Sequence, residues 1–171
     1  LVNDLNLTMR LDYEMQPLRR ARLRPAALVR QAAADLINGG LEDRYSLEVD
    51  VPPEAEEVTL LADEALLKRA LMNLMNNGVR HNPDGCAITV RLALQGAECA
   101  LEVDSAGGPG ARETPPTGPR AVLKVEGSAP PGTGLKIVEQ IARAHGGRFE
   151  IVQNGAHFRG RILLPAGQAQ I

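Results

Sequence analysis

The chain has 171 residues, of which 44% are hydrophobic and 23% are charged, a composition that fits one globular domain with a core of its own. Aromatic residues make up only 2%, so Leu, Val, Ile and Ala must build that core. The formal net charge of -2 gives no electrostatic argument for a nucleic-acid partner, and no apolar run approaches the roughly 20 residues that cross a bilayer.

The first 16 residues are predicted to form a helix, which Pro17 ends because proline lacks an amide donor. An apolar seam near heptad spacing runs along this helix: Leu1, Leu5, Leu11 and Met15. The seam indicates either a partner helix or packing onto the rest of the chain. The four arginines between positions 19 and 24 are interpreted as a solvated connector.

Helices and short strands then alternate. We predict helices over 25–37, from Asp63 to the turn at 82–85, and over 133–144. We predict strands over 45–51, 58–61, 87–94, 97–103, 148–153 and 158–164. Residues 105–131 are rich in glycine and proline and are expected to form a long loop, with a short ordered piece at 121–125. This order predicts an α+β fold, a two-layer α/β sandwich with a mixed, largely antiparallel sheet.

Cys86 and Cys99 fall on two strands that a turn near Gln95 joins, well apart along the ladder. We therefore expect two buried free thiols and no disulfide. His145 comes at the end of a predicted helix, where we interpret it as a cation that complements the helix dipole.

Three segments carry candidate chemistry, and the first is the helix after Asp63. Asn73, Asn77 and Arg80 are spaced i, i+4 and i+7, which places them on one helical face, with aliphatic residues opposite. Asn77 offers a neutral oxygen of the kind that Mg²⁺ binds, and Arg80 suits a phosphate. The alternative is an ordinary amphipathic helix with a solvated polar face.

The other two segments are glycine turns. Asp104 ends a predicted strand and is followed by Gly107, Gly108 and Gly110. Its carboxylate either accepts a hydrogen bond from the exocyclic amine of adenine or binds the amides of its own turn. Gly132 and Gly134 open a helix, whose exposed amides either bind phosphate or belong to a simple turn.

In this order the three segments resemble the nucleotide-binding motifs of bacterial sensor histidine kinases, members of the GHKL ATPase superfamily. NLMNNGVRHNP is similar to the N box, VDSAGGPG to the first glycine box and PPGTGLKIVEQIARAHGG to the second. The resemblance implies an ATP-binding fold with ATP and Mg²⁺ as ligands. It makes Asn77 the Mg²⁺ ligand and Asp104 the adenine acceptor, and it places Arg80 and His81 beside the nucleotide. The other implied nucleotide contacts lie in the glycine boxes: Gly108, Gly110, Gly132, Thr133, Gly134 and Leu135.

Asn73 stands where ATP-hydrolysing members of the superfamily usually carry a glutamate that activates water. An amide has no useful proton affinity near neutral pH and cannot act as a general base. With Asn77 as its catalytic partner, Asn73 thus favours transfer of the γ-phosphate to a protein acceptor over hydrolysis.

The resemblance also implies a domain division and partners. Residues 1–17 are similar to the end of the dimerisation and phosphoacceptor hairpin, and 18–171 to the catalytic ATP-binding domain, with an ATP lid at about 105–131. The acceptor histidine is expected outside this chain, on the hairpin of the same or a partner subunit. A response regulator, a homodimeric full-length protein and a cytoplasmic location in a membrane-anchored sensor kinase are the further expectations.

Three departures from the family pattern support an alternative. Ala106 and Pro130 replace glycines, and residues 105–131 contain no aromatic side chain to anchor a lid. The alternative is a degenerate nucleotide-binding or regulatory module with weak or no kinase activity.

Overall fold

A computed structural model describes residues 18–107, 122–123, 134–154 and 157–166 of the chain. The expected helix over 1–16 and most of the expected lid lie outside these ranges. The domain division at residue 17 therefore stays a prediction.

Three helices and eight strands make up the described part. The helices are α1 (Pro25–Asn38), α2 (Glu64–His81) and α3 (Leu135–Ala144), with a short 3-10 turn at Pro53–Ala55. The strands are β1 (Ala21–Leu23), β2 (Tyr45–Asp50), β3 (Leu60–Ala62), β4 (Cys86–Gln95), β5 (Glu98–Gly107), β6 (Val122–Leu123), β7 (Arg148–Asn154) and β8 (His157–Pro165). Among these helices none is both long and apolar enough to cross a membrane.

The strands form one large sheet and one small one. The large sheet has six strands in the order β2-β4-β5-β8-β7-β6, and β1 pairs with β3 separately. Within the large sheet β2 and β4 run parallel, and the other neighbours are antiparallel. The predicted α+β class and the mixed, largely antiparallel sheet are confirmed.

The core lies between the large sheet and the helices. Along β4 and β5 alternate residues face this core, as the two-residue period of a strand requires. The largest side chains that are fully buried there are aliphatic, as the aromatic-poor composition predicts: Leu67, Leu71, Leu74, Met75, Ile88, Leu92, Leu101, Ile141 and Ile162 among them. Close packing also needs glycine at position 160, where a Cβ would lie 2.7 Å from Leu74.

The opposite face of the large sheet carries a row of alternating charges. Asp50, Arg91, Glu102, Arg161 and Glu150 are successive cross-strand neighbours on β2, β4, β5, β8 and β7. Their charged atoms lie 2.9 to 3.6 Å apart along the row. Opposite charges directly across an antiparallel pair stabilise that pairing, so the row fixes the register of the central strands.

Strand β5 is longer than predicted. We expected it to end at Val103, but it continues to Gly107. The reason is tertiary: β4 pairs with β5 as far as Gly107, and β8 pairs with it as far as Ala106. Ser105 and Ala106 are thus paired on both edges and Gly107 on one, which outweighs their turn propensity.

The arginine segment after Pro17 is exposed, in keeping with a solvated connector, and it is also attached to the domain. Residues Ala21–Leu23 pair with β3 as a strand. The Arg19 amide donates to the Asp63 carboxylate, and the Arg20 guanidinium donates to the Ala144 carbonyl at the end of α3. Arg24 donates to the Glu56 carbonyl. This segment thus contacts α2 and α3 together.

Both cysteines are buried free thiols, as predicted. They lie at opposite ends of the β4–β5 ladder, where Cys86 pairs with Gly107 and Cys99 with Leu94. Burial raises the pKa of Cys99 to about 11 and also raises the pKa of Cys86, so neither is a reactive thiolate at neutral pH.

His145 is not the exposed cation that its position suggested. It is buried, and its Nε2 accepts a hydrogen bond from the Asp63 amide at 3.0 Å. Its Nδ1 lies 2.8 Å from the Ile141 carbonyl and must therefore carry the proton. Burial lowers the pKa of His145, and the Arg20 charge acts in the same direction. A neutral ring thus joins the end of α3 to the start of α2, where Asp63 also caps Leu66.

Because the folded state favours neutral His145, the unfolded chain takes up a proton at higher pH than the folded chain does. Stability should therefore be fully present above the ordinary pKa of 6.5 and decrease as the pH falls below it. Urea unfolding of the wild type and His145→Gln at pH 7.5 and 5.5 measures this. The variant should lose less stability between the two pH values, whereas exposed His81→Gln should behave like the wild type. Equal losses in all three would contradict the assignment.

Candidate functional site

Asn77 is a buried polar side chain whose amide oxygen is unpaired within the described ranges. It lies on α2 and is only 4% exposed. Its side-chain oxygen is buried and has no hydrogen-bond partner among the described residues. Buried polar atoms are nearly always paired in folded proteins, so this oxygen points to a ligand, a metal or an ordered water.

Asn73 lies one turn before Asn77 and faces the start of α3. A Cβ built on Gly134 would be 3.9 Å from the Asn73 amide carbon and from its nitrogen. That nitrogen is also buried without a hydrogen-bond partner in the described part of the chain. Two carboxamides with unpaired atoms and a helix N-terminus therefore meet in one place.

The start of α3 has no side-chain cap among the described residues. Gly134 precedes the helix with a φ of 81°, a left-handed conformation that favours glycine, and no side chain caps the helix. The first amides of a helix have no partner within the helix and carry partial positive charge. Leu135 begins the helix with a buried side chain, so a ligand would meet its backbone.

Helix α2 and strand β5 are in close contact at Gly78, the residue after Asn77. A Cβ on Gly78 would lie 2.8 Å from the Ser105 Cβ and 3.2 Å from its Oγ. Glycine at 78 therefore lets the helix approach the strand, beside Asn77. Ser105 itself is 3% exposed and faces the helices.

Asp104 lies on the wrong side of the sheet for its predicted role. Successive residues of a strand point to opposite faces, and Ser105 faces the helices. The Asp104 carboxylate accepts from Arg159 at 2.6 and 3.1 Å and from Arg91 at 2.6 Å, on the charged outer face. The structure does not bring Asp104 together with Asn77, and we do not retain it as an adenine acceptor. The longer course of β5 is the physical reason.

The remaining predicted residues divide into two groups. Arg80 and His81 are exposed at the end of α2, as is Asn76, and the nucleotide contacts of Arg80 and His81 stay predictions. Gly108, Gly110, Gly132 and Thr133 lie outside the described residues, and their nucleotide contacts stay predictions.

Sequence reasoning missed the inward position of Ser105 on β5. Along β5, Cys99, Leu101 and Val103 are inward apolar positions. The same alternation places residue 105 inward. Because we expected the strand to end at Val103, the alternation was not extended to Ser105.

The arrangement can bind a polyanion but offers no general base. The described residues around Asn73 and Asn77 supply neutral amides, backbone N–H groups and a serine hydroxyl. Such groups orient phosphates and coordinate a hard cation, and they do not remove a proton from water.

Residues 62–168 match the family described as histidine kinase-, DNA gyrase B- and HSP90-like ATPases. The chain is 31% identical to the alginate biosynthesis sensor protein KinB of Pseudomonas aeruginosa, over 96% of this chain and 28% of KinB. It is 33% identical to the sensor histidine kinase CusS of Escherichia coli O157:H7, over 77% of this chain and 28% of CusS. The chain thus spans less than a third of these two relatives.

Solved structures show the same fold. The histidine kinase AdeS of Acinetobacter baumannii superposes with a TM-score of 0.71 at 16% identity, covering 97% of this chain and 77% of that one. The catalytic domain of the histidine kinase ThkA gives a TM-score of 0.69 at 18% identity, covering 87% and 97%. Since the family match spans more than half of the residues, the chain belongs to the histidine kinase-, DNA gyrase B- and HSP90-like ATPases.

Proposed function

We propose that this chain is the ATP-binding catalytic domain of a two-component sensor histidine kinase. It transfers the γ-phosphate of Mg-ATP to a histidine outside the chain. The observation that carries the proposal is the pair of amides on α2, Asn73 and Asn77, each with a buried atom unpaired within the described ranges, with Asn73 beside the N-terminus of α3. The names of KinB and CusS as sensor proteins support it.

The residues present fit a magnesium ion. The buried, unpaired oxygen of Asn77 is a neutral ligand of the type that Mg²⁺ takes. Within the described ranges no group of three His, Cys, Asp or Glu side chains could hold a metal. Asn77 would therefore be one ligand, and phosphate oxygens and waters would complete the shell, as is usual for this ion. When bound, the ion neutralises phosphate charge.

The N-terminus of α3 would hold the phosphates. Backbone amides at a helix N-terminus point toward a bound anion, and the helix dipole there favours negative charge. Gly134 keeps this end of the helix clear of a side chain, opposite Asn73. The Asn73 amide nitrogen then has an anion to which it can donate.

The absence of a base at Asn73 determines the reaction class. Hydrolysis needs a water whose proton is removed, and Asn73 cannot do this. A histidine imidazole is already a nucleophile, so the domain needs only to position the γ-phosphate and to stabilise its charge.

The kinase assignment also implies an acceptor, an oligomeric state, a response regulator and a location. The acceptor histidine belongs to the dimerisation hairpin of the same or a partner subunit, and the full-length protein is a homodimer. A response regulator receives the phosphoryl group. The domain works on the cytoplasmic side of a membrane-anchored sensor.

Replacing Asn77 with Ala should remove the contribution of Mg²⁺ to nucleotide binding. In calorimetry with a non-hydrolysable ATP analogue, Mg²⁺ should strengthen wild-type binding by about 10- to 100-fold, as a contact to a charged group allows. In Asn77→Ala the affinities with and without Mg²⁺ should agree. Exposed Asn76→Ala, on the same helix, is the matched control. An undiminished Mg²⁺ effect in Asn77→Ala would exclude Asn77 as the ligand.

Glycines at the two ends of α3 allow a second matched test. Gly134 and Gly146 have φ values of 81° and 78°, so alanine at either costs about 1–2 kcal/mol of stability. Only Gly134→Ala should also weaken binding of the ATP analogue, because only that glycine lies at the helix N-terminus beside Asn73. Thermal unfolding and calorimetry of both variants measure the two effects. Equal affinity in the two variants would argue against phosphate binding at α3.

Phosphotransfer tests the kinase proposal itself. Incubated with γ-labelled ATP, this chain should acquire no acid-labile label on its three histidines. Addition of the dimerisation hairpin from the parent protein should yield a labelled hairpin, and Asn77→Ala should reduce the labelling. Phosphohistidine on the chain alone would contradict the proposal, as would steady phosphate release over many turnovers. No nucleotide binding at all would favour a regulatory module.

A further inference from the structure

The hydroxyl of Tyr45 ties the last turn of α2 to β2, the strand at one edge of the large sheet. Resting on the proposed function, we propose that Tyr45 is a positioning residue of the nucleotide site. It holds the Asn77 amide at the angle that a bound Mg²⁺ ion requires. In this role Tyr45 acts through α2 and does not itself contact the ion.

The hydroxyl lies at the C-terminal end of the helix, close to two backbone carbonyls. It donates to the Asn82 carbonyl at 2.9 Å and lies within donating distance of the Val79 carbonyl, at 3.3 Å. The last carbonyls of a helix have no partner within the helix, so a side-chain donor there determines how the helix end is attached. Val79 is two residues beyond Asn77, and the attachment therefore acts on the same helical turn.

The position of the hydroxyl is set by the core and by the sheet. Tyr45 is 7% exposed and its ring belongs to the hydrophobic core. It is the first residue of β2 and pairs there with Cys86 of β4. Phe would fill the same space without burying a hydroxyl that needs a partner. The specific consequence of tyrosine at position 45 is thus the hydrogen bond to the end of α2.

The residues that receive this hydrogen bond form one unit with the helix. The Asn82 side-chain amide donates to the Gly78 carbonyl at 2.8 Å, and the Asn82 backbone amide donates to the Val79 carbonyl at 3.2 Å. The Gly85 amide closes the following turn on the Asn82 carbonyl at 2.9 Å. Tyr45 therefore connects the whole end of α2 to the sheet.

Two attachments on different strands fix the rotation of α2 about its axis. The first is the close approach of Gly78 to Ser105 on β5. A helix held at one point can still roll, and rolling would turn the Asn77 side chain. The second attachment is on β2, which is separated from β5 by β4 and so lies about 10 Å away across the sheet. With both in place the direction of the Asn77 oxygen is defined.

The metal ion is the ligand that should be sensitive to this direction. Mg²⁺ requires near-ideal octahedral geometry and short bonds to oxygen, so a small rotation of its protein ligand weakens the contact. Phosphates held at the N-terminus of α3 do not depend on Asn77. Loss of the tie should therefore reduce the part of nucleotide affinity that Mg²⁺ supplies.

Tyr45→Phe keeps the ring in the core and removes only the hydroxyl. In calorimetry of the chain with a non-hydrolysable ATP analogue, the factor by which Mg²⁺ strengthens binding should fall by about 3- to 10-fold, the equivalent of one hydrogen bond. Affinity without Mg²⁺ should stay within about twofold of the wild type. Circular dichroism confirms that the variant is folded.

Arg44→Gln is the matched control. The Arg44 side chain also reaches the turn after α2, where its Nε donates to the Pro83 carbonyl at 2.9 Å, but it makes no hydrogen bond to α2 within the described residues. This variant should lower the melting temperature and leave the Mg²⁺ factor unchanged.

A double-mutant cycle distinguishes positioning from a purely structural role. In the Asn77→Ala background, Tyr45→Phe should cause no further loss of affinity with Mg²⁺, because the group that it positions is gone. Equal losses in both backgrounds would overturn the inference, as would an unchanged Mg²⁺ factor in Tyr45→Phe. Either result leaves the proposed function intact if Asn77→Ala still abolishes the Mg²⁺ factor. No nucleotide binding by the wild type would overturn both.

Discussion

The close approach of α2 to β5 at Gly78 is the constraint on which the site depends. A single methyl group at Gly78 would come within 2.8 Å of Ser105, so the helix and the strand can meet only because the residue has no side chain. This contact positions α2 along its axis and rotates Asn77 into the interior. A buried amide with an unpaired oxygen is costly, and a fold retains it where a ligand repays that cost. The orientation of Asn77 thus depends on the packing of Gly78 against Ser105.

The charged outer face supports that contact from the other side of the sheet. Glu102 and Asp104 project outward from β5 and are held by arginines of β4 and β8. Because a strand alternates, each outward ion pair also specifies which residue is inward. The pairs of Asp104 therefore determine that Ser105 faces α2. An isolated ion pair contributes little to stability, but a connected row of them resists a register slip.

The sequence predicted the layers, the order of elements and the Asn73–Asn77 helix, because strong periodicity and turn chemistry specify these locally. It failed where a distant strand decided the outcome. The glycine-rich segment after Val103 has turn propensity, and pairing with β4 as far as Gly107 and with β8 as far as Ala106 keeps it in the sheet. The role given to Asp104 failed for the same reason. His145 was misjudged because its burial depends on the Asp63 amide, 82 residues away along the chain.

The electrostatics of the site depend on which side chains face inward. Its described inward groups, Asn73, Asn77 and Ser105, are all neutral, and the acidic side chains of β5 lie on the opposite face. The acidic side chains of β5 thus do not face a triphosphate bound on the helical side. Under the proposed function, the N-terminus of α3 and a metal ion would attract the phosphates. Neutral dipoles fixed in a dry site stabilise developing charge without having to reorganise, which suits transfer of a phosphoryl group to an acceptor brought by another element.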